Sequence, residues 1–273
     1  MLQFDAPLDF DPQVREEFRK LLPTAGIWHE VTVWVCNPKA NFVINDKELD
    51  KYANLKILAT PSTGLNHIDL DACAKRGVKV ISLLDDRAGL DDISASAEFT
   101  FKLILDALRI PPPRELQGKR VGLVGFGRNG KKLARWCEKF DTASITLCDP
   151  LTSDISPLEL FKTCDVVVVC CTYDKSTHHM IGAELLRSMK QGAALVNTSR
   201  GEVIDEYALA MVMEERPDLR VAVDVLEGET TGTQNPQRLI SRGAIVTPHI
   251  AGETYDSRTK AARIILNLLK KEL

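Results

Sequence analysis

The stretch "RVGLVGFGRNGKKLARWCEKF", Arg120 to Phe140, narrows the possible folds more than any other part of the chain. An apolar, strand-like run meets three glycines, Gly125, Gly127 and Gly130, and the apolar spacing then becomes helical. A strand that turns this tightly into a helix opens a βαβ unit, and βαβ units build parallel sheets. The glycines have a backbone reason. Gly125 permits the tight turn, Gly127 lets a phosphate approach the main chain, and Gly130 lets helix and strand pack closely. The helix start then presents N–H groups that have no partner within the helix, which suits an anion.

The alternation continues through the rest of the chain. "SITLCDP", "DVVVVCCT", "AALVNTS", "RVAVDVL" and "AIVTP" read as further strands. Between them "SPLELFKTC", "GAELLRSMKQG" and "DEYALAMVMEERP" have helical spacing. Six strands with helices between them predict an α/β fold, a doubly wound parallel sheet of the Rossmann kind. Upstream, "VTVWV", "LKILATPS" and "VKVISL" read as strands, with a helix from about Asp69. Asp91 to Arg109 reads as one long amphipathic helix, stopped by the prolines of "IPPP". That helix marks a boundary between a first domain, residues 1–90, and a second, residues 91–254. The final helix, residues 255–273, is expected to pack back onto the first domain.

Asp149 ends the strand after the glycine loop, 19 residues past Gly130. A carboxylate there can accept hydrogen bonds from both hydroxyls of an adenosine ribose, and it repels a 2′-phosphate. Pro150 follows, so no Arg or Lys stands beside Asp149 to hold that phosphate. NAD rather than NADP is the expected cofactor; Arg128 inside the loop is the one cation that runs against this, and it could equally meet the pyrophosphate. Three later strands end in charged or titratable residues: Arg200 in "VNTSRG", Asp224 and Glu229 in "VAVDVLEGE", and His249 in "VTPH". Each alone is equally well a surface or loop residue. Ligands of such sheets sit outside the carboxyl ends of the strands, so together they outline a site.

Composition excludes several other classes. A net charge of −3 with no basic block offers nothing to a nucleic acid or an anionic membrane. No apolar run approaches the ~18 residues of a membrane span, and "MLQFDAPLDFDPQ" lacks the pattern of a secretory signal. The seven cysteines form no CxxC pair and read as reduced thiols, in keeping with a cytoplasmic location. No metal site is expected.

The motifs "TGLNHID", "AEFT", "GLVGFGRNG", "NTSRGEVIDEYAL", "AVDVLEGE" and "TPHIAGET", in this order, resemble those of the D-isomer-specific 2-hydroxyacid dehydrogenases. The resemblance implies a two-domain NAD enzyme with a smaller flavodoxin-like substrate domain, formed by the N-terminal part and the last helix. It implies that Arg200 grips the carboxylate and carbonyl of a 2-oxo acid, that His249 is the general acid/base, and that Glu229 orients it. Asp224 is expected to accept from the nicotinamide carboxamide. Arg128, Asn129, Thr172 and Thr198 join the cofactor-binding set, and the backbone of Thr63 and Gly64 is expected to hold the substrate carboxylate.

The chain departs from the family pattern between Arg109 and Gly118, where "IPPPRELQ" replaces a longer arm that contributes to the dimer interface. A homodimer therefore stays an open expectation. Phe99 stands where many relatives have histidine, and Thr172 where proline is common. A competing reading on the same scaffold is a protein that senses NAD(H) and recruits a partner. Turnover of any 2-oxo acid separates the two.

Overall fold

The computed structural model describes residues 1–273 except Leu8, Asn41 and Asp154. The chain divides into two compact units. One comprises Met1–Ile93, Thr230–Gly232 and Glu253–Leu273, and the other Ser94–Glu229 and Thr233–Gly252.

The first unit is built on four parallel strands, β1 (Leu2–Phe4), β2 (Val33–Val35), β3 (Ile57–Ala59) and β4 (Lys79–Ile81), which lie side by side in chain order. Its helices are α1 (Pro12–Leu21), α2 (Asp46–Leu49), α3 (Leu70–Lys75), α4 (Arg87–Asp91) and α11 (Tyr255–Glu272). Side chains alternate across a strand. Val33, Val35, Ile57 and Ala59 thus pack with Phe10, Val14, Ile265 and Leu269, while Trp34 and Leu58 pack with Leu49 and Cys73. Helix starts follow the capping chemistry of the sequence. The Asp11 and Asp69 carboxylates accept from the N–H of Gln13 and of Ala72.

The second unit holds six parallel strands: β5 (Arg120–Val124), β6 (Ser144–Cys148), β7 (Val166–Val169), β8 (Ala194–Asn197), β9 (Arg220–Val223) and β10 (Ile245–Val246). Their order is β10-β9-β8-β7-β5-β6, so the direction of progression reverses between β5 and β7. Its helices are α5 (Ala95–Arg109), α6 (Arg128–Lys139), α7 (Pro157–Thr163), α8 (Ala183–Ser188), α9 (Glu206–Glu215) and α10 (Gln237–Ile240). The four central strands are apolar on both faces. Leu123, Val168 and Val196 pack with Leu103, Ile104 and Leu133, while Val167, Val169 and Leu195 pack with Phe161, Leu186 and Leu209. That explains why β7 reads as the uninterrupted run "VVVV".

Three local expectations are corrected. The helix read from Asp91 to Arg109 is two helices: α4 ends at Asp91, and α5 begins at Ala95 with Ser94 as its N-cap residue. Ile93, between them, is buried. Strand β1 and helix α1 lie in a stretch for which the sequence reading names no element. The last strand of "AIVTP" is only the two residues Ile245–Val246.

The short connection after α5 is fastened by Arg220, which is 2% exposed. Its guanidinium donates to the carbonyls of Ile110 (3.3 Å), Pro112 (2.7 Å) and Gly192. Arg114 donates to Gly192 as well, at 3.3 Å. All seven cysteines are unpaired. Among the described residues no helix is long and apolar enough to cross a membrane, and no cluster of His, Cys, Asp or Glu could hold a metal ion.

Candidate active site

The glycine loop joins β5 to α6 beside the point where strand order reverses, which is where ligands of such sheets bind. Gly125 has φ +95°, and a Cβ there would stand 2.5 Å from the backbone nitrogen of Cys171, so the turn demands glycine twice over. A Cβ on Gly130 would meet the Gly125 carbonyl at 2.6 Å. Gly127 is different. Its φ of −72° suits any residue, and a Cβ would meet nothing within 4 Å. Folding does not need glycine at 127, but a phosphate lying against the main chain does. Asn129 adds an acceptor: its buried Oδ1 has no partner among the described residues.

Asp149 closes the same site. Its carboxylate accepts from the N–H of Phe126 (2.8 Å) and of Leu151 (2.9 Å). These backbone donors, Phe126 first, hold its carboxyl below the usual carboxylate range. Two bonds leave a carboxylate with acceptor capacity for ribose hydroxyls. The residues of this loop therefore fit a dinucleotide. Thr198, past the end of β8, pairs its hydroxyl with Thr100 at 2.6 Å. Thr172, past the end of β7, is exposed, and its carbonyl accepts from Thr177.

The structure brings Arg200, Glu229 and His249 together. Beyond β8, buried Asn197 shapes the turn that carries Arg200: it accepts from the Ser199 N–H (3.0 Å) and hydroxyl (2.9 Å) and donates to the Arg200 carbonyl (2.9 Å). Burial pushes the Arg200 guanidinium below its usual value, and the nearby Glu229 and Glu202 carboxylates oppose that shift. Glu229 receives the Leu226 N–H on one oxygen (2.8 Å) and His249 Nδ1 on the other (2.6 Å). A carboxylate only accepts, so the proton of this pair belongs to Nδ1.

His249 has φ +54°, in the left-handed region. For a residue other than glycine such a conformation costs on the order of 1 kcal/mol unless its surroundings enforce it. Asp224 enforces it. Its carboxylate accepts from the Thr247 hydroxyl (2.6 Å) and from the N–H of Ile250 (2.9 Å) and Ala251 (2.8 Å), which pins the turn on both sides of His249. Asp224 is 0% exposed, and its carboxylate is engaged within residues 247–251.

Several residues that complete this geometry had not been singled out. Glu206, at the start of α9, is 3% exposed and accepts from the Glu227 N–H at 2.9 Å, with Arg238 3.4 Å away. Burial pushes its carboxyl up. Gly201 packs directly under the same segment: a Cβ there would stand 2.0 Å from the Leu226 carbonyl carbon. His179 is half-buried; its Nε2 lies 2.9 Å from the Glu227 carboxylate, and its ring stacks on His178. No signal in one sequence marks Glu206 as buried, since a glutamate in the first turn of a helix is ordinary.

In the first unit, Thr63 and Gly64 follow β3 in a loop whose Ser62 hydroxyl donates to the Gly64 carbonyl at 2.9 Å. Among the described residues the N–H groups of Thr63 and Gly64 make no hydrogen bond.

Residues 105–251 match the family described as "D-isomer specific 2-hydroxyacid dehydrogenase, NAD binding domain". The chain is 31% identical over 269 residues to a glyoxylate reductase of Thermofilum pendens, covering 84% of this chain and 76% of that protein. It is also 31% identical over 241 residues to an erythronate-4-phosphate dehydrogenase of Shewanella violacea, covering 84% of this chain but only 59% of that longer protein. Among solved structures, a D-lactate dehydrogenase of Aquifex aeolicus complexed with NAD and lactic acid superposes with a TM-score of 0.79 at 25% identity, over 99% of this chain and 94% of that one. An NAD+-bound 3-phosphoglycerate dehydrogenase of Entamoeba histolytica reaches a TM-score of 0.81 at 23% identity, over 98% and 94%; it shows likeness of fold.

Proposed function

Because the chain belongs to the NAD-dependent D-isomer specific 2-hydroxyacid dehydrogenases, we propose that it interconverts a small D-2-hydroxy acid and its 2-oxo acid through Arg200, Glu229 and His249. The observation that carries this reading is the 2.6 Å contact of His249 Nδ1 with Glu229 beside the half-buried Arg200.

NAD, held by residues 125–130 and Asp149, supplies or accepts the hydride when bound. The rest of the chemistry belongs to side chains. The Arg200 guanidinium takes the carboxylate and the carbonyl oxygen of the 2-oxo acid through its planar fork. The amides of Thr63 and Gly64 add two neutral donors to the carboxylate. His249 Nε2 gives a proton to the carbonyl oxygen during reduction and takes it back during oxidation. Glu229 keeps Nδ1 protonated, fixes the ring plane and balances the imidazolium charge. Asp224 acts one step away by holding the turn in which His249 sits. Residues 1–90 with 255–273 form the substrate domain in this reading, and residues 91–254 the NAD domain. The unpaired thiols suit a reducing compartment such as the cytoplasm.

The test is NADH oxidation against a panel of 2-oxo acids that begins with glyoxylate. Turnover that disappears in Arg200→Ala while NADH binding persists is the expected result. Silence across the panel with intact NADH binding would replace this reading by the NAD(H)-sensing alternative or by a chain that binds NAD but turns over poorly.

A further inference from the structure

We propose that His67 is a positioning residue for substrate binding: it holds the Ser62–Gly64 loop in the shape that presents the Thr63 and Gly64 amides. The inference rests on the reading of those two amides as donors to the substrate carboxylate.

His67 is 2% exposed and lies within the apolar surroundings of Cys36, Ile44 and Ile68. A polar ring in such a place is costly unless its nitrogens have hydrogen-bond partners. Nε2 lies 3.1 Å from the Thr60 hydroxyl, which lies 2.9 Å from the Ser62 hydroxyl, which in turn lies 2.9 Å from the Gly64 carbonyl. The direction of this chain is fixed from its far end. A carbonyl cannot donate, so the single hydroxyl proton of Ser62 goes to Gly64. Ser62 must then accept from Thr60, and Thr60, its own proton spent, must accept from His67. The imidazole therefore carries a proton on Nε2.

The consequence reaches the loop. A bond from the Ser62 side chain to the carbonyl two residues ahead closes the chain around Thr63. The two unpartnered amides, Thr63 N–H and Gly64 N–H, lie inside that closed span. With the Nε2 donor removed, the Thr60 hydroxyl is no longer committed to Ser62 and can turn to the Cys36 thiol, already within its reach. Ser62 then loses the donor that keeps it facing Gly64. The backbone around His67 is held separately: the Ile44 N–H donates to the His67 carbonyl, and the Asp69 N–H to the Ile44 carbonyl. These two backbone bonds do not involve the ring, so its loss reaches the loop through Thr60 and Ser62.

The experiment compares wild type with His67→Leu, His67→Gln and Thr60→Val. It records KM and kcat for glyoxylate, NADH affinity, melting temperature and the ring 15N spectrum of His67. Glutamine can place its amide N–H near the position of Nε2. We expect His67→Leu and Thr60→Val to raise KM roughly tenfold while kcat and NADH affinity stay close to wild type, and His67→Gln to recover most of the loss. The ring spectrum should show the proton on Nε2. A proton on Nδ1 alone, or a folded His67→Leu protein with unchanged KM, overturns the assignment. Should His67→Leu fail to fold, Thr60→Val carries the same test. If wild type turns over no 2-oxo acid, the proposed function fails by itself. The role of His67 is then read from the amide signals of Thr63 and Gly64 on adding oxamate to the NADH-loaded protein. A response present in wild type and lost in His67→Leu supports it, and any other pattern rejects it.

Discussion

Gly201→Ala tests how the Glu229 carboxylate is held. Gly201 opens a short 3-10 turn just after Arg200, and its φ lies outside the left-handed region, so alanine meets no backbone penalty there. The obstacle is purely steric. A Cβ would stand 2.0 Å from the Leu226 carbonyl carbon, 2.2 Å from the Glu227 nitrogen and 2.3 Å from the Leu226 oxygen. Against the 3.4 Å at which contact becomes ordinary, the closest of these is short by 1.4 Å. All three atoms are backbone, so no side chain can swing aside. The Arg200 side is anchored to central strand β8 through Asn197, so the displacement falls on residues 226–229. If Glu229 moves by the whole amount, its 2.6 Å bond to His249 opens to about 4 Å, beyond hydrogen-bonding range. A 1 Å misplacement costs on the order of 10² in rate, and overpacking about 1–3 kcal/mol in stability. The assay is steady-state reduction of whichever 2-oxo acid proves to be turned over, with NADH affinity and melting temperature measured in parallel. The reasoning predicts a hundredfold-scale drop in kcat with NADH affinity intact. A Gly201→Ala protein that keeps both wild-type kcat and wild-type melting temperature refutes it.

Gly127→Ala should leave the melting temperature unchanged, since its Cβ meets no protein atom, yet weaken NADH binding sharply in a fluorescence titration; equal NADH affinity would remove the phosphate from this loop. His249→Ala should lower kcat by roughly 10²–10⁴ with NADH affinity retained, and full activity across pH would refute the acid/base role. Asp149→Ala combined with Pro150→Arg should move the preference toward NADPH, measured as the ratio of kcat/KM for the two cofactors; an unchanged ratio would reject the ribose contact. Glu206 gives a pH prediction. Burial raises its carboxyl above the ordinary value of 4.5, so the folded state binds this proton more tightly than the unfolded chain does. Its contribution to stability is fully present below 4.5 and is lost as pH rises through the raised value. Glu206→Gln should therefore flatten the fall in melting temperature above pH 4.5, and a curve parallel to wild type would count against the shift.

The layout of the second unit was legible because buried parallel strands leave unbroken apolar runs such as "VVVV" in β7, while glycines mark the turn that must stay narrow. His249, Glu229 and Arg200 could be found because each follows a strand end within a few residues. What stayed hidden was whatever depends on contacts distant in sequence. Asp224 reads as one more charged residue at a strand mouth; only the three donors from residues 247–251 reveal it as the support of the His249 turn. Glu206 reads as a helix-start acid, and its burial under Glu227 comes from a residue 21 positions away. His67 sits in a motif the sequence made conspicuous, but the order of donors from His67 to Gly64 exists only once β3 and its loop are folded. The break between α4 and α5 was missed because Asp91 and Asp92 suit a helix start as well as an end.

The grip of Arg220 on Ile110, Pro112 and Gly192 bears on how this lineage can change. The connection after α5 is short, and a longer one would draw the Ile110 and Pro112 carbonyls away from the guanidinium. That would strand a cation in the interior with Gly192 as its remaining acceptor, at a cost of several kcal/mol. Chain inserted beyond Arg114 would spare the clasp, whereas chain inserted between Arg109 and Pro112 would destroy it. Arg220 and the short link behave as one unit, and a chain of this fold with added residues upstream of Pro112 is expected to carry another residue in place of the arginine.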